Sequence, residues 1–442
     1  MKILWVNSLA QNQIALNLSL YKKLHQPNSM NVHFGMFKTK VNTVIHDDLL
    51  EGTIGLPINL GDKYTIPTNI PYEIYYKGGD IHIGPVIGHI VTKYFENLND
   101  KTLSSYLSRL TEYQSIKGLV FICTKDSIYP DQNLIKGYYY NPEGRKTGST
   151  WQLGEFPLPN AIINRSFISQ KKIKILQEKI GDRIFNTYWQ NLNKWNIWKR
   201  LSKDKKLIKH LPYTEKYVDI KQLKMFLKKY NGAYFKPFSK CRGRGILNVS
   251  KIANEKKILV IDERKNRYYF EDYKNLDDFL NTKLSKPSII QQAVPFRVEK
   301  KMVDFRVILQ RDKDKEWSFK GSFAKISQPG SVITNRRSRE KLIDGREALI
   351  SIYNMSEEQA VKVEKKMIIL TIRAIDIYEK KGMHIGDVAA DIILDSSLHL
   401  WLLELQLNHG ISKNLPPEVY TEIKVTPLRY AKALSGFIQL SR

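Results

Sequence analysis

Apolar positions along this chain recur at two spacings, and the switch between them marks out its elements. Short apolar or alternating runs predict strands at Lys2–Val6, Ile81–Gly84 and Leu119–Cys123. Between them, Val91–Glu96 and Leu103–Glu112 carry helical spacing. The stretch Gly137–Pro142, with Trp151 and Phe156–Asn160, is aromatic and punctuated by proline, and reads as loop-rich surface.

Beyond residue 190 the pattern sharpens. A basic helix is expected over Lys194–Leu201, stopped by His210–Thr214. Asp219 can N-cap a helix whose apolar residues Ile220, Leu223, Phe226, Leu227 and Tyr230 recur at helical spacing, with Asn231-Gly232 ending it. Strands follow at Ala233–Pro237, Ile246–Val249, Ile258–Ile261, Tyr268–Glu271 and Ser288–Gln292, with a helix near Leu276–Leu284. Val303–Arg311 and Trp317–Lys325 form a long hairpin around the polar turn Asp312–Glu316. Ser356 and Gln359 make a capping box for a helix running to Lys380 and closed by Gly382. Val388–Leu394 and His399–Gln406 form a second hairpin about Asp395–Ser397. Strands, a long helix and a hairpin in that order are α+β in style, unlike the regular alternation of dinucleotide-binding folds.

At 442 residues the chain is too long for one core, so two or three domains are expected. Two cysteines, Cys123 and Cys241, with no CxxC or Cys/His cluster, exclude a disulfide scaffold and a cysteine-based zinc site. The opening MKILWVNSLAQNQ is expected to be a first strand and not a signal peptide, and no apolar run is long enough to span a bilayer. The expected setting is therefore cytoplasmic and reducing. The net charge of +27 favours polyanionic company, such as nucleic acid, an anionic membrane surface or an acidic substrate. Because the basic residues spread through most of the chain, they support a lysine-rich solvated surface instead. Nucleic-acid binding is thus an open but unfavoured reading.

Two segments carry candidate chemistry. In Phe235–Ile246 a lysine, Lys236, ends one strand, a loop with Gly243 and Gly245 follows, and a strand resumes. Such a loop lets backbone N–H groups approach phosphates while lysine adds a compact charge. A basic hairpin with glycines at positive φ fits the same residues. In the last hairpin, Asp391 and Glu404 sit among apolar neighbours on facing strands, with Gln406 and Asn408 beyond. Their oxygens can gather round Mg²⁺, or the acids can simply face solvent on an amphipathic hairpin.

Together these motifs resemble the ATP-grasp superfamily, and the whole chain resembles its YheC/YheD-like endospore coat-associated family. The resemblance is carried by His82–Gly88, Gly137–Tyr140, Trp151 with Phe156–Pro159, Asn164-Arg165, Phe185-Asn186 and Asn193–Trp195. It continues through His210–Thr214, Phe235–Pro237, Gly243–Ile246, Asp304–Val307, Gln310–Asp312 with Trp317, and Trp401–Glu404. It implies an ATP-grasp fold of two α+β subdomains, at 186–295 and 296–442, preceded by an N-terminal α/β domain at 1–185. It further implies ATP held with Mg²⁺. Lys194 and Lys236 would touch phosphates, Gly243 and Gly245 would lie in the loop over them, and Gln291 and Val294 would line adenine. Arg306 and Lys325 would face phosphate or acyl phosphate, with Asn335 in the following loop. Asp391, Glu404 and Gln406 would hold the metal, with Asn408 as a substitute for Gln406.

The implied activity is ATP-dependent ligation of a carboxylate to an amine or thiol through an acyl phosphate; carboxylate and acceptor are unidentified. Two departures favour an alternative, a non-catalytic nucleotide-binding structural protein of a spore-coat-like assembly. Gln406 replaces the family's asparagine, and Asn335 is followed by Arg336-Arg337 where two glycines are usual. Spore association follows from the resemblance alone.

Overall fold

The computed structural model describes residues 1–144, 148–187, 193–238, 243–252, 255–284, 287–294 and 301–437, and the backbone of 297–298. Cys241 therefore lies outside the described residues. Four sheets organise the described residues.

The first sheet has seven strands, ordered Lys2–Val6, Thr53–Pro57, Gln13–Leu16, Phe37–Ile45, Ser29–Phe34, Asp80–Gly84 and Glu73–Lys77. The second has six, ordered Trp151–Pro157, Leu134–Tyr140, Leu119–Tyr129, Val86–Thr92, Ala161–Asn164 and Ile184–Phe185. A single apolar core, from Ile3 through Phe121 to Ile184, joins the two. Three sequence expectations change here. Val91 and Thr92 end a strand, and only Phe95–Asn97 turns helically, as a 3-10 turn. That strand is paired in parallel on both sides, and its partners override the local helical spacing. The helix expected over 103–112 is Asp100–Tyr106, capped by Asn99, followed by a separate 3-10 turn at Leu107–Arg109. The aromatic stretch is no surface loop: 134–140 pairs with 151–157, burying Tyr139, Tyr140 and Phe156. Aromatic residues suit a half-buried pleated surface, and prolines at 157 and 159 only end the strand.

The third sheet is antiparallel, ordered Thr214–Lys216, Ser288–Gln292, Gly232–Pro237, Leu247–Lys251, Ile258–Asp262 and Arg267–Phe270. Helices Ile220–Tyr230 and Tyr273–Lys283 bury Leu223, Phe226, Leu227, Leu276 and Leu280 against it. Asp219 caps the first of these by accepting from the Gln222 amide, and Asn231 ends it in the left-handed region.

The fourth sheet is ordered Arg339–Asp344, Trp317–Ser327, Lys301–Arg311, Asp387–Leu394 and Leu400–Gln406, with Arg297–Val298 beside 301–311. Helix Glu357–Glu379, opened by the Ser356–Gln359 capping box, packs on it through Ala360, Met367, Leu370 and Ala374. Leu201, Leu207 and Leu211 join this core.

A final helix, Pro417–Leu434, has no counterpart among the sequence expectations. Leu428, Tyr430 and Ala431 on it pack into an N-terminal cluster with Ile87, Val120 and Ile163. Pro427 lies inside it and cannot donate to the Ile423 carbonyl; the Gln310 amide does so instead, at 2.9 Å. We propose the three units 1–185, 186–295 and 296–442 for this architecture. Packing crosses their boundaries at residues 201–211 and at the last helix. Among the described residues no helix is long and apolar enough to cross a membrane.

Candidate functional site

The third and fourth sheets turn polar residues towards one another, and strand register explains how. Asp304 and Arg306 are two residues apart on the 301–311 strand and so share a face. Register sets Asp304 opposite Lys325 on one side and Arg306 opposite Asp391 on the other. Asp391 in turn stands opposite Glu404, with Gln406 one face-repeat along. A row of charged side chains thus crosses four strands, basic and acidic residues alternating as far as Asp391 and a second acid, Glu404, lying beyond it.

Within that row Asp391 is the hub. Arg306 donates to both of its oxygens at 2.9 Å, Lys325 lies 3.2 Å from Oδ1, and Gln406 Nε2 donates to Oδ2 at 2.9 Å. Burial opposes its charge, but Arg306 and Lys325 hold its carboxyl well below the usual range. Lys325 also pairs with Asp304 at 2.9 Å. Burial raises Asp304, against the pull of Lys325. Burial likewise opposes the Arg306 charge, yet Asp391 lifts the guanidinium above its ordinary range.

Across the gap, Lys236 donates to Gln291 Oε1 at 2.5 Å, and Gln291 Nε2 donates to Thr214 Oγ1 at 2.8 Å. Burial lowers the Lys236 ammonium to about 8; Glu404 opposes that shift and Lys194 adds to it. Lys194 stands at the first position of helix Lys194–Leu201, capped by Asn193. These couplings draw Lys194, Lys236, Glu404, Asp304 and Asp391 into one electrostatic neighbourhood.

Gly243 and Gly245 both have positive φ, +73° and +70°. A Cβ on Gly243 would meet Asn335 Nδ2 at 2.6 Å and Ile333 Cδ1 at 3.0 Å, so the glycine turn lies directly against the loop after the long hairpin. Residues 239–242 of that turn lie outside the described residues. Asn335 Oδ1 accepts from the Arg337 and Ser338 amides at 3.1 and 3.3 Å, closing its own turn. Val294 is buried in an apolar cluster with Tyr234, Ile261, Met302, Ile333 and Ile393, drawn from both sheets.

The structure therefore brings together most of the residues singled out in the sequence. Asn408 stands apart, its amide donating to the Arg165 carbonyl at 2.9 Å. Asp304 and Thr214 enter as site residues with no assigned role in the sequence. Asp304 was legible in principle, because it lies two residues from Arg306 on a strand.

Magnesium suits the donor set in kind: Glu404, Asp391 and the Gln406 side-chain oxygen are hard ligands. Among the described residues no three His, Cys, Asp or Glu side chains are set to hold a metal ion. Mg²⁺ commonly takes only one or two carboxylates and completes its shell with water and phosphate oxygens. Among the described residues Glu404 accepts only from Gln406, at 3.4 Å, and is the less committed carboxylate.

Comparison with known proteins follows the same lines. The chain is 25% identical over 438 residues to "Endospore coat-associated protein YheD" of Bacillus subtilis (strain 168), covering 95% of this chain and 93% of that protein. Among solved structures it is similar to the VanG D-Ala:D-Ser ligase of Enterococcus faecalis, with TM-score 0.47, 12% identity, and 80% and 98% of the two chains covered. It is also similar to N5-carboxyaminoimidazole synthase of Aspergillus clavatus, with TM-score 0.44, 10% identity and coverage of 79% and 77%. Likeness at that level says nothing of substrate. The YheC/D-like ATP-grasp family model matches residues 181–434, more than half of the chain, and the protein belongs to that family.

Proposed function

We propose that the chain binds ATP with Mg²⁺ between its third and fourth sheets and uses it to activate a carboxylate. The observation that carries this reading is the charged row Lys325–Asp304, Arg306–Asp391 and Glu404, electrostatically coupled to Lys236. Family membership is consistent with it.

The chain's own residues would act by position and charge. Val294 and its apolar neighbours offer a slot for a purine, with Gln291 at the rim. Lys236 and Lys194 place cations where phosphates would lie, and Gly243 and Gly245 allow close backbone approach. Glu404 and Gln406, joined by Asp391, would hold Mg²⁺, which supplies charge neutralisation for the transferring phosphoryl group. Arg306 and Lys325 would stabilise the phosphoryl oxygens during transfer. An acid oxygen displaces ADP from the γ-phosphorus, giving an acyl phosphate. An amine or thiol then attacks the acyl carbon, phosphate leaves, and the nucleophile's proton passes to solvent.

A second reading rests on one observation. Asn335 is folded into its own turn by Arg337 and Ser338, and Arg336 and Arg337 fill the loop. Such a loop favours nucleotide binding without turnover, as in a structural role. The likeness to an endospore coat-associated protein makes the spore surface the place to look for the chain under either reading.

Thermal unfolding with ATP or a non-hydrolysable analogue, with and without Mg²⁺, tests the shared claim. A ligand at a hundred times its Kd stabilises the native state by about 2.7 kcal/mol. A Mg²⁺-dependent shift lost in Lys236→Ala and in Asp391→Asn/Glu404→Gln supports the site; no shift in the folded wild type sinks it. ADP release that depends on an added carboxylate separates ligation from binding alone.

A further inference from the structure

The basic residues of the chain are densest between the N-terminal sheets and the third sheet. Residues 194–230 hold twelve lysines and arginines against three acids, a third of the net charge of +27. Helix Ile220–Tyr230 contains no acid, and Lys221, Lys224, Lys228 and Lys229 all stand exposed on it. At about 100° per residue these lysines and Met225 share one outward arc. Leu223, Phe226 and Leu227 fill the opposite side, against the third sheet. Two apolar side chains stand out among the lysines: Val218 is 74% exposed and Met225 64%.

Nothing nearby neutralises this face. Among the described residues none of the four lysines makes an ion pair. The three acids of the segment are engaged elsewhere. Asp204 binds Arg373 at 2.7 Å, Glu215 accepts from Tyr213 and Gln222, and Asp219 caps the helix. The helix Tyr273–Lys283 carries Asp277 and Asp278 against Lys274 and Lys283 and is neutral as a whole. Lys221, Lys224 and Lys228 follow one another three and four residues apart, where like charges repel. An anionic surface with an apolar layer beneath it would relieve that repulsion and cover both apolar side chains.

We propose that this face docks on an anionic phospholipid surface, with Val218 and Met225 in the headgroup layer and the four lysines on lipid phosphates. Lipid fits it better than nucleic acid. Bases need open rings to stack on, whereas Lys229 lies over Tyr213 and Tyr230, and Lys224 over Tyr273. The face is separate from the ATP-grasp cleft and does not rest on the reading of it. Along the 232–237 strand, Phe235 joins the core beneath the helix, while Tyr234 on the alternate side joins the cluster shared with the fourth sheet. Lipid and nucleotide would thus be held on opposite faces of the third sheet.

The test is co-sedimentation of the full chain, without nucleotide, with vesicles of phosphatidylcholine alone or mixed with phosphatidylglycerol. Expected is binding to the mixed vesicles only, weakening as sodium chloride is added. Lys221→Gln/Lys224→Gln/Lys228→Gln/Lys229→Gln should weaken it about a hundredfold, and Val218→Ser/Met225→Ser about tenfold. Lys365→Gln/Lys366→Gln/Lys380→Gln/Lys381→Gln removes the same charge from exposed positions on and just beyond the 357–379 helix, and should weaken it less than about threefold. All the altered side chains are exposed, and calorimetric unfolding checks that each variant folds. No binding to the mixed vesicles, or equal weakening by the two sets of four lysines, would overturn the proposal. Unchanged binding in Val218→Ser/Met225→Ser would overturn it too, leaving an electrostatic face for a soluble polyanion.

Discussion

Asp387 offers a sharp test of how the N-terminal domain is held to the fourth sheet. It is 1% exposed and accepts from Arg165 at 2.7 Å, His409 at 2.8 Å and Gln310 at 2.9 Å. Replacing it by asparagine keeps the shape and removes the charge, leaving the Arg165 guanidinium buried without a counterion. Breaking a buried pair in this way costs about 3–5 kcal/mol. Arg165 keeps one hydrogen bond, to the His409 carbonyl at 2.8 Å, so the expected loss is near the lower bound, about 3 kcal/mol. Urea unfolding followed by tryptophan fluorescence at neutral pH measures it. The sign of the pH dependence is fixed as well. Burial opposes the Asp387 charge, but His409 and Arg165 hold its carboxyl well below the usual range. Its contribution is therefore complete above the unfolded value of about 3.9 and is lost as pH falls from there through the folded value. The gap between wild type and Asp387→Asn should narrow in acid. Arg165→Met/Asp387→Leu, which removes both charges, should recover part of the loss. A single variant within 1 kcal/mol of wild type, or a double variant worse than the single, would refute the reasoning.

Three further outcomes are expected. Gly243→Ala meets both a positive φ of +73° and Asn335 Nδ2 at 2.6 Å; it should cost about 1–3 kcal/mol and weaken ATP binding, read by thermal shift. Lys236, lowered to about 8 chiefly by burial, is expected to lose its proton early. ATP affinity, read by calorimetry, should fall as pH rises through 8, while stability of the unliganded protein rises between about 8 and the unfolded value near 10.4. Ser356→Ala opens the capping box of the 357–379 helix and should lower stability by about 0.5–2 kcal/mol in denaturant titration.

What the sequence revealed tracks how local each structure is. The long hairpin and the 357–379 helix have their turn, cap and period written in consecutive residues, and both form where expected. Asp391 and Glu404 likewise meet across one hairpin. The first sheet joins Lys2–Val6 to Thr53–Pro57 and Ser29–Phe34 to Asp80–Gly84, and no single segment records those registers. The last helix was hidden by Pro427, whose missing N–H is made good by a side chain, Gln310, more than a hundred residues earlier. Asn408 lies beyond the strand that ends at Gln406, and its amide N–H turns to the Arg165 carbonyl, a contact no local pattern records.

The placement of the 417–434 helix has a consequence for synthesis. Leu428, Tyr430 and Ala431 fill a cluster whose other members lie between Ile87 and Phe185. On a ribosome the N-terminal domain emerges first, yet that apolar surface stays uncovered until some 240 further residues have been made. A nascent chain stalled before residue 417 should therefore be held by chaperones and cut readily by protease in its first domain, however complete that domain is in sequence.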